Sequence, residues 1–278
     1  MRQAAPRAGV RARLFHSRLA GALLTNAWYS LVTRLDRRSE ATFLNYGFAR
    51  DGEALALPPE RERDRYAIQL YHHVASPVPL AGRDVLEVGC GRGGGAAYLA
   101  AAMRPRRYVG LDVNAAEVAF DRAYHRAENL AFVRGDAHAL PFPDGSFDAV
   151  LNVESCHHYA DLPRFFAEVH RVLRPGGTLL LACFPRRAEP ALLEDALRGA
   201  PFVCERREDI TADVVRALDA DSDRREAAIA RVCPPPLRAF AREFAGVRGT
   251  RLYAFFASGE VPYWSFVLRK GGGAAQEP

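Results

Sequence analysis

The chain has 278 residues, 49% of them hydrophobic and 26% charged, with 22 glycines, 18 prolines and a net charge of +5. This composition excludes intrinsic disorder, collagen and coiled coil, and the length suffices to bury a core without a disulfide or metal staple. Arg2, Arg7, Arg11, Arg13, Arg18 and Arg34 fall in residues 1–35 with no acid among them, so the rest of the chain is near neutral and lacks a basic body for gripping nucleic acid.

Five cysteines, Cys90, Cys156, Cys183, Cys204 and Cys233, are scattered without a CxxC pair. That usage predicts free thiols in a reducing compartment, the cytoplasm, and no structural zinc. No run reaches the ~18 uncharged apolar residues of a membrane helix. Leu14, Phe15, Leu19, Leu23, Trp28, Leu31 and Leu35 recur at helical spacing. They predict an amphipathic N-terminal helix whose basic face is either solvated or in weak contact with anionic lipid.

Residues 14–75 read as helical, and the pattern then changes. Arg83–Val88 is a predicted buried strand, Gly94–Met103 a helix, Tyr108–Leu111 a strand, Ala115–His125 a helix and Leu130–Arg134 a strand. Phe147–Asn152 is the fourth strand, Leu162–Leu173 an amphipathic helix ended by Arg174-Pro175-Gly176-Gly177, and Thr178–Phe184 the fifth strand. Strand and helix alternating in this way imply right-handed crossovers and a parallel sheet covered on both faces. Residues 186–258 are largely helical, with a strand at Phe202–Arg206, a helix N-cap at Asp209-Ile210-Thr211 and a rigid break at Cys233-Pro234-Pro235-Pro236; Val261–Leu268 is the last strand.

The strongest local signal is Val85-Leu86-Glu87-Val88-Gly89-Cys90-Gly91-Arg92-Gly93-Gly94-Gly95, a buried strand running into a glycine-rich turn and a helix. Such a turn lets backbone approach a ligand closely and aims free N–H groups at it. Two cofactor classes fit. Gly89, Gly91 and Gly94 satisfy the dinucleotide fingerprint, with Asp112 where a ribose-binding acid belongs. Glu87 favours instead a sulfonium nucleoside, because an acid at the mouth of the turn repels a pyrophosphate and suits a cation. Asp136 and Ala137, after the third strand, fall where an adenine edge would lie, and Asn152 ends the fourth strand at the same rim.

Glu87-Val88-Gly89-Cys90-Gly91-Arg92-Gly93, Gly110-Leu111-Asp112, Gly135-Asp136-Ala137-His138, Ser146-Phe147-Asp148 and Leu173-Arg174-Pro175-Gly176-Gly177 occur in an order that resembles the class I S-adenosylmethionine-dependent methyltransferases. The resemblance implies a doubly wound, seven-stranded α/β sheet with a helical cap, and S-adenosylmethionine as cofactor. It also implies that Gly89, Gly91 and Gly93 line the methionine portion, that Asp112 holds the ribose, and that Asp136 and Ala137 read the adenine. Phe43-Leu44-Asn45-Tyr46, Leu70-Tyr71-His72, Leu151-Asn152-Val153-Glu154, Arg242-Glu243-Phe244 and Ser258-Gly259-Glu260 are similar to the mycobacterial phthiotriolone O-methyltransferases. Glu154-Ser155-Cys156-His157-His158 is similar to the paired-histidine stretch of antibiotic-sugar O-methyltransferases. The implied organisation is a helical cap at 1–75, a Rossmann-like cofactor-binding core at 76–207, a helical lid insertion at 208–258, and a last strand with a flexible tail at 259–278.

An alcohol is a poor nucleophile until its proton leaves, and histidine titrates near neutrality, so His157 and His158 are the candidate bases, His157 preferred. Adjacent histidines without a further ligand at metal spacing predict no metal site. Tyr46, Tyr71 and Tyr253 read either as core aromatics or as substrate wall. Cys183 stands where the resembling enzymes carry an Asp that supports the base; Glu154 is the nearest replacement in sequence, although strand alternation turns it away. The expected activity is O-methylation of a hydroxyl on a polyketide, lipid or glycosylated metabolite. C- or N-methylation and cofactor binding without transfer stay open, as does assembly into a homo-oligomer. The segment Asn152-Val153-Glu154-Ser155 lacks the Asn-Pro-Pro-aromatic element of enzymes that stack a flipped base.

Overall fold

The computed structural model describes residues 27–28, 30–36, 41–187 and 189–271. Strand β1 (Asp84–Val88) is buried at all five positions, because it has a strand on either side and helices on both faces. Its alternate residues serve two cores. Val85 packs with Leu70, Val74, Leu99 and Val118 on one face, while Leu86 and Val88 pack with Phe165, Phe166 and Val169 on the other.

Strands β2 (Arg107–Asp112), β3 (Leu130–Arg134), β4 (Phe147–Val153), β5 (Leu173–Cys183), β6 (Phe202–Asp209) and β7 (Trp264–Lys270) complete one sheet in the order β3-β2-β1-β4-β5-β7-β6. Strand β7 is antiparallel to both β5 and β6; the other neighbours are parallel. The connections from β1 diverge to opposite sides, which leaves a crevice at its carboxyl end. Helices α1 (Arg65–Ala75), α2 (Gly94–Ala102) and α3 (Ala115–Tyr124) contribute to the first core, and α4 (Leu162–Val172) and α5 (Pro190–Arg198) to the second. Helix α4 shows why: Leu162, Phe165, Phe166, Val169 and Val172 form one apolar stripe, and Asp161 caps its start by accepting from the Arg164 N–H at 3.0 Å.

Several boundaries depart from expectation. Leu173 leaves the helix and pairs with Phe147, and the ladder resumes at Ala149 and Thr178, so Arg174–Gly177 is a bulged start of β5 with Gly176 at φ +72°. Strand β7 starts at Trp264 and not Val261, since Pro262 has no N–H to give the ladder. Residues 41–58 are not helical; they run irregularly past the crevice. The N-terminal positions Leu14, Phe15, Leu19 and Leu23 and the tail 272–278 lie outside the described residues, whereas residues 30–35 are helical. Helices α6 (Thr211–Val232), α7 (Arg238–Phe244) and α8 (Arg251–Ala257) occupy the segment between β6 and β7. All five cysteines are free.

Candidate active site

A cavity of about 390 Å³ opens at the carboxyl ends of β1, β2 and β4. Its floor is the glycine-rich turn. Gly89 has φ +77°, and a Cβ there would stand 1.9 Å from Ser155 Oγ, so the glycine is required by the neighbouring wall as well as by any ligand. Gly91, at φ +53°, is bound from below: its N–H donates to Asp112 Oδ2 at 3.0 Å. Asp112 Oδ1 accepts from the Asn114 N–H at 2.8 Å, and burial raises the carboxyl's pKa above its usual range. Gly93 adopts the left-handed conformation that starts α2.

The side of the cavity beyond Asp112 is closed by the N-terminal segment. Ser30 Oγ accepts from Asn114 Nδ2 at 2.9 Å, and Thr33 Oγ1 donates to Glu117 Oε1 at 2.5 Å. Glu117 Oε2 is buried without a hydrogen-bond partner among the described residues, and burial pushes the carboxyl up to about 7. Arg92, on the glycine-rich turn, is fully buried with its guanidinium 4.0 Å from the Phe120 ring and Nη2 3.2 Å from Asp36 Oδ2.

Asp136 and Ala137 line the cavity as expected. Burial opposes ionisation of Asp136, but hydrogen bonds from the His138 backbone and ring hold the carboxyl below its usual range. Two residues placed at the rim by sequence stand behind it. Glu87 is fully buried, and its two oxygens accept from Tyr71 Oη and Tyr108 Oη, each at 2.8 Å; Tyr71 lies between it and the cavity. Burial pushes Glu87 up to about 7. Asn152 is a brace: Nδ2 donates to the Val88 carbonyl at 2.8 Å and Oδ1 accepts from the Cys156 N–H at 3.0 Å.

The histidine pair divides. His158 lines the cavity, and burial with the nearby Arg186 charge lowers it to about 4. His157 packs on Phe184 at 4.2 Å between ring centroids and is not part of the cavity wall; its Nδ1 is buried without a partner among the described residues, and burial holds it well below the usual range. Of the two candidate bases, His158 is the one that borders the cavity. Cys183 is fully buried beside Cys156, on the α4–α5 face of the sheet, and does not support His157. Of the tyrosines, Tyr71 reaches the cavity. Tyr46 packs against Phe184 and Phe256, with Oη donating to the Phe244 carbonyl, and Tyr253 donates to Asp219 at 2.7 Å on the exposed side of α8; neither lines the cavity. Sequence reasoning missed Arg92, Asn114 and Glu117 as cavity residues. Glu117 looks like an ordinary first-turn helix acid, and only its unpaired buried oxygen marks it.

Comparison with known proteins follows this geometry. A family described as "Methyltransferase domain" matches residues 86–181. The chain is 42% identical over 244 residues to the phthiotriol/phenolphthiotriol dimycocerosates methyltransferase of Mycobacterium tuberculosis, spanning 87% of this chain and 90% of that one. It is 43% identical over 221 residues to a fatty-acid O-methyltransferase of Mycolicibacterium smegmatis, spanning 79% and 81%. The fold is similar to the crystal structure of the [4+2]-cyclase SpnF, with a TM-score of 0.69 at 22% identity over 90% of this chain and 96% of that one.

Proposed function

The chain belongs to the methyltransferase family that contains these mycobacterial enzymes, and from that membership we propose that this S-adenosylmethionine-dependent enzyme methylates a hydroxyl of a large apolar acceptor, a lipid, polyketide or glycosylated metabolite. The observation that carries the reading is a pair of neighbouring cavities. A second cavity of about 130 Å³, walled by Trp28, Val32, Ile229, Val232 and Phe244, shares Phe43, Leu44 and Asn45 with the first. The first suits a sulfonium nucleoside; the apolar part of the second suits an alkyl chain, with Asp64, Arg224 and Arg225 also on its wall. The helices between residues 208 and 258 supply Ile229, Val232 and Phe244 to that wall, which is the role of a lid.

The residues present fit the cofactor. The unpaired Glu117 Oε2 and the Asp112 carboxyl offer acceptors for ribose hydroxyls, Asp136 and Ala137 suit the adenine, and the turn at Gly89, Gly91 and Gly93 leaves room for the methionine portion. Glu87 acts through Tyr71, whose ring it holds at the cavity wall. When bound, S-adenosylmethionine supplies a methyl group activated by a positive sulfur. A histidine held near 4 is neutral at pH 7, so the ring N–H of His158 donates to the oxygen of the acceptor hydroxyl and orients it without taking its proton. Asp112, Glu117, Asp136 and Glu154 make the wall acidic, which disfavours an ionised fatty acid as acceptor relative to a neutral alcohol.

Among the described residues no helix is long and apolar enough to cross a membrane. A cytoplasmic location, weak contact of the basic N-terminus with anionic lipid and assembly of copies complete the proposal. The test supplies methyl-deuterated cofactor with a long-chain secondary alcohol or the matching fatty acid and locates the label by mass spectrometry. Label on the alcohol oxygen is the expected result. Transfer to carbon or nitrogen, preference for the acid, or cofactor binding without transfer would refute it.

A further inference from the structure

We propose that Glu154, and neither histidine, takes the proton of the acceptor hydroxyl during methyl transfer, an inference that rests on the hydroxyl reading above. Glu154 follows the last residue of β4 and lines the cavity together with Ser155 and His158. Its backbone has φ +51°, a left-handed conformation that is unfavourable for a non-glycine residue. A Gly or Asn would occupy that turn more cheaply, so the carboxylate is kept there against a backbone preference, a form of strain that gathers at functional sites.

The side chain is held from two directions. Glu154 Oε1 accepts from the Tyr46 backbone N–H and from Tyr263 Oη, each at 2.8 Å. These partners fix the carboxyl plane and leave Oε2 without a hydrogen-bond partner among the described residues, in a side chain that borders the cavity. An acceptor hydroxyl placed beside it by His158 would find a fixed, unused lone pair.

The charge balance agrees with the geometry. As the oxygen–carbon bond forms, the carbon–sulfur electron pair stays with sulfur, and the hydroxyl proton passes to Glu154 Oε2 and from there to water. Positive charge is lost from the sulfonium while negative charge is lost from Glu154, so the cavity ends with the same net charge. The groups around Glu154 are Tyr46 from the N-terminal segment, Tyr71 from α1, Tyr263 from the segment before β7, Arg225 from α6 and His158 from its own turn. Burial outweighs the Tyr46 and Tyr263 hydrogen bonds and the Arg225 charge, pushing the carboxyl up to about 7. A base holding its proton near the working pH is a better acceptor than His158 at about 4.

Glu154→Gln tests this, because the amide oxygen still accepts from Tyr46 and Tyr263 while the base is gone. With the long-chain secondary alcohol as acceptor, kcat should fall by about 10²-fold or more and calorimetric affinity for S-adenosylmethionine should stay within about threefold. The acid limb of the parent's kcat–pH profile, with its midpoint near 7, should vanish. An independent readout is the infrared band of protonated carboxyls: its amplitude titrating near pH 7 in the ligand-free parent should fall by one carboxyl in the variant, with Glu87 and Glu117 retaining theirs. Turnover within about threefold of the parent, or an infrared titration with no carboxyl near pH 7 lost in the variant, would overturn the inference. If Glu154→Gln fails to fold, Glu154→Asp joins the parent's infrared and pH profiles as the deciding set: a parent profile with no acid limb near 7, or an Asp variant at full rate, would overturn it equally. A parent that methylates no hydroxyl refutes the functional reading; a parent that does, with an equally active Gln variant, refutes only this one.

Discussion

The ion pair between Arg92 and Asp36 links the cofactor turn to the N-terminal segment, and Asp36→Ala measures what that link is worth. Both side chains are fully buried, 3.2 Å apart from Nη2 to Oδ2. Removing the carboxylate leaves a buried guanidinium with Thr33 Oγ1 at 3.3 Å and the Phe120 ring at 4.0 Å. An orphaned buried charge costs about 3–5 kcal/mol, from which the retained ring contact recovers about 1–2. The net global loss is then about 1–4 kcal/mol unless residues 30–36 detach and let water reach Arg92, in which case the cost is capped at whatever holds that segment. Urea unfolding separates these outcomes from amide exchange over residues 30–36. We expect either a fall of about 1–4 kcal/mol in stability, or fast exchange there with weaker cofactor binding, because Asn114 and Glu117 lose Ser30 and Thr33. Unchanged stability together with unchanged exchange would refute the reasoning.

Asp112→Ala removes the acceptor of the Gly91 and Asn114 N–H groups and the proposed ribose contact at once, so S-adenosylmethionine affinity should drop by about 1.5–3 kcal/mol by calorimetry, with a smaller loss of ligand-free stability. Glu87, Glu117 and Glu154 are each pushed up to about 7 by burial, so their contribution to stability is full below about pH 4.5 and is lost as pH rises through 7. Unfolding free energy of the ligand-free protein should therefore decline between about pH 4.5 and 7.5, and Glu117→Gln should flatten the decline by about 1–3 kcal/mol; an equal slope in the variant would remove that assignment.

The central parallel strands were legible because β1, β4 and the second half of β5 are short apolar runs beside glycine turns, a pattern that buried parallel strands satisfy. The edges were less so. Residues 41–58 carry Phe43, Leu44 and Tyr46 at spacings compatible with a helix, yet their apolar groups are distributed over two cavities and the first core, which no single helical stripe could serve. Pro262 shortened the last strand, and Gly176 allowed the ladder to begin before the bulge and not after it.

Within the site, errors came from applying strand alternation at strand ends. Glu87 is still inside β1, one residue before Val88, and alternation sends it to the face of α1 and α2, where Tyr71 and Tyr108 receive it; proximity to the glycine turn in sequence did not place it at the rim. Glu154 is the converse. It is one residue past β4, and continued alternation turns it from the cavity, but φ +51° breaks the extended backbone and brings it to the cavity wall. The same break carries Ser155 against Gly89, where any side chain on the glycine would collide with it. A glutamate one position inside a strand is thus a buried support, and a glutamate one position outside a strand is a reactive group, although both are acids at the carboxyl rim of one sheet with their pKa raised to about 7. What separates them is that both oxygens of Glu87 are hydrogen-bonded to tyrosines, whereas among the described residues only one oxygen of Glu154 is bonded.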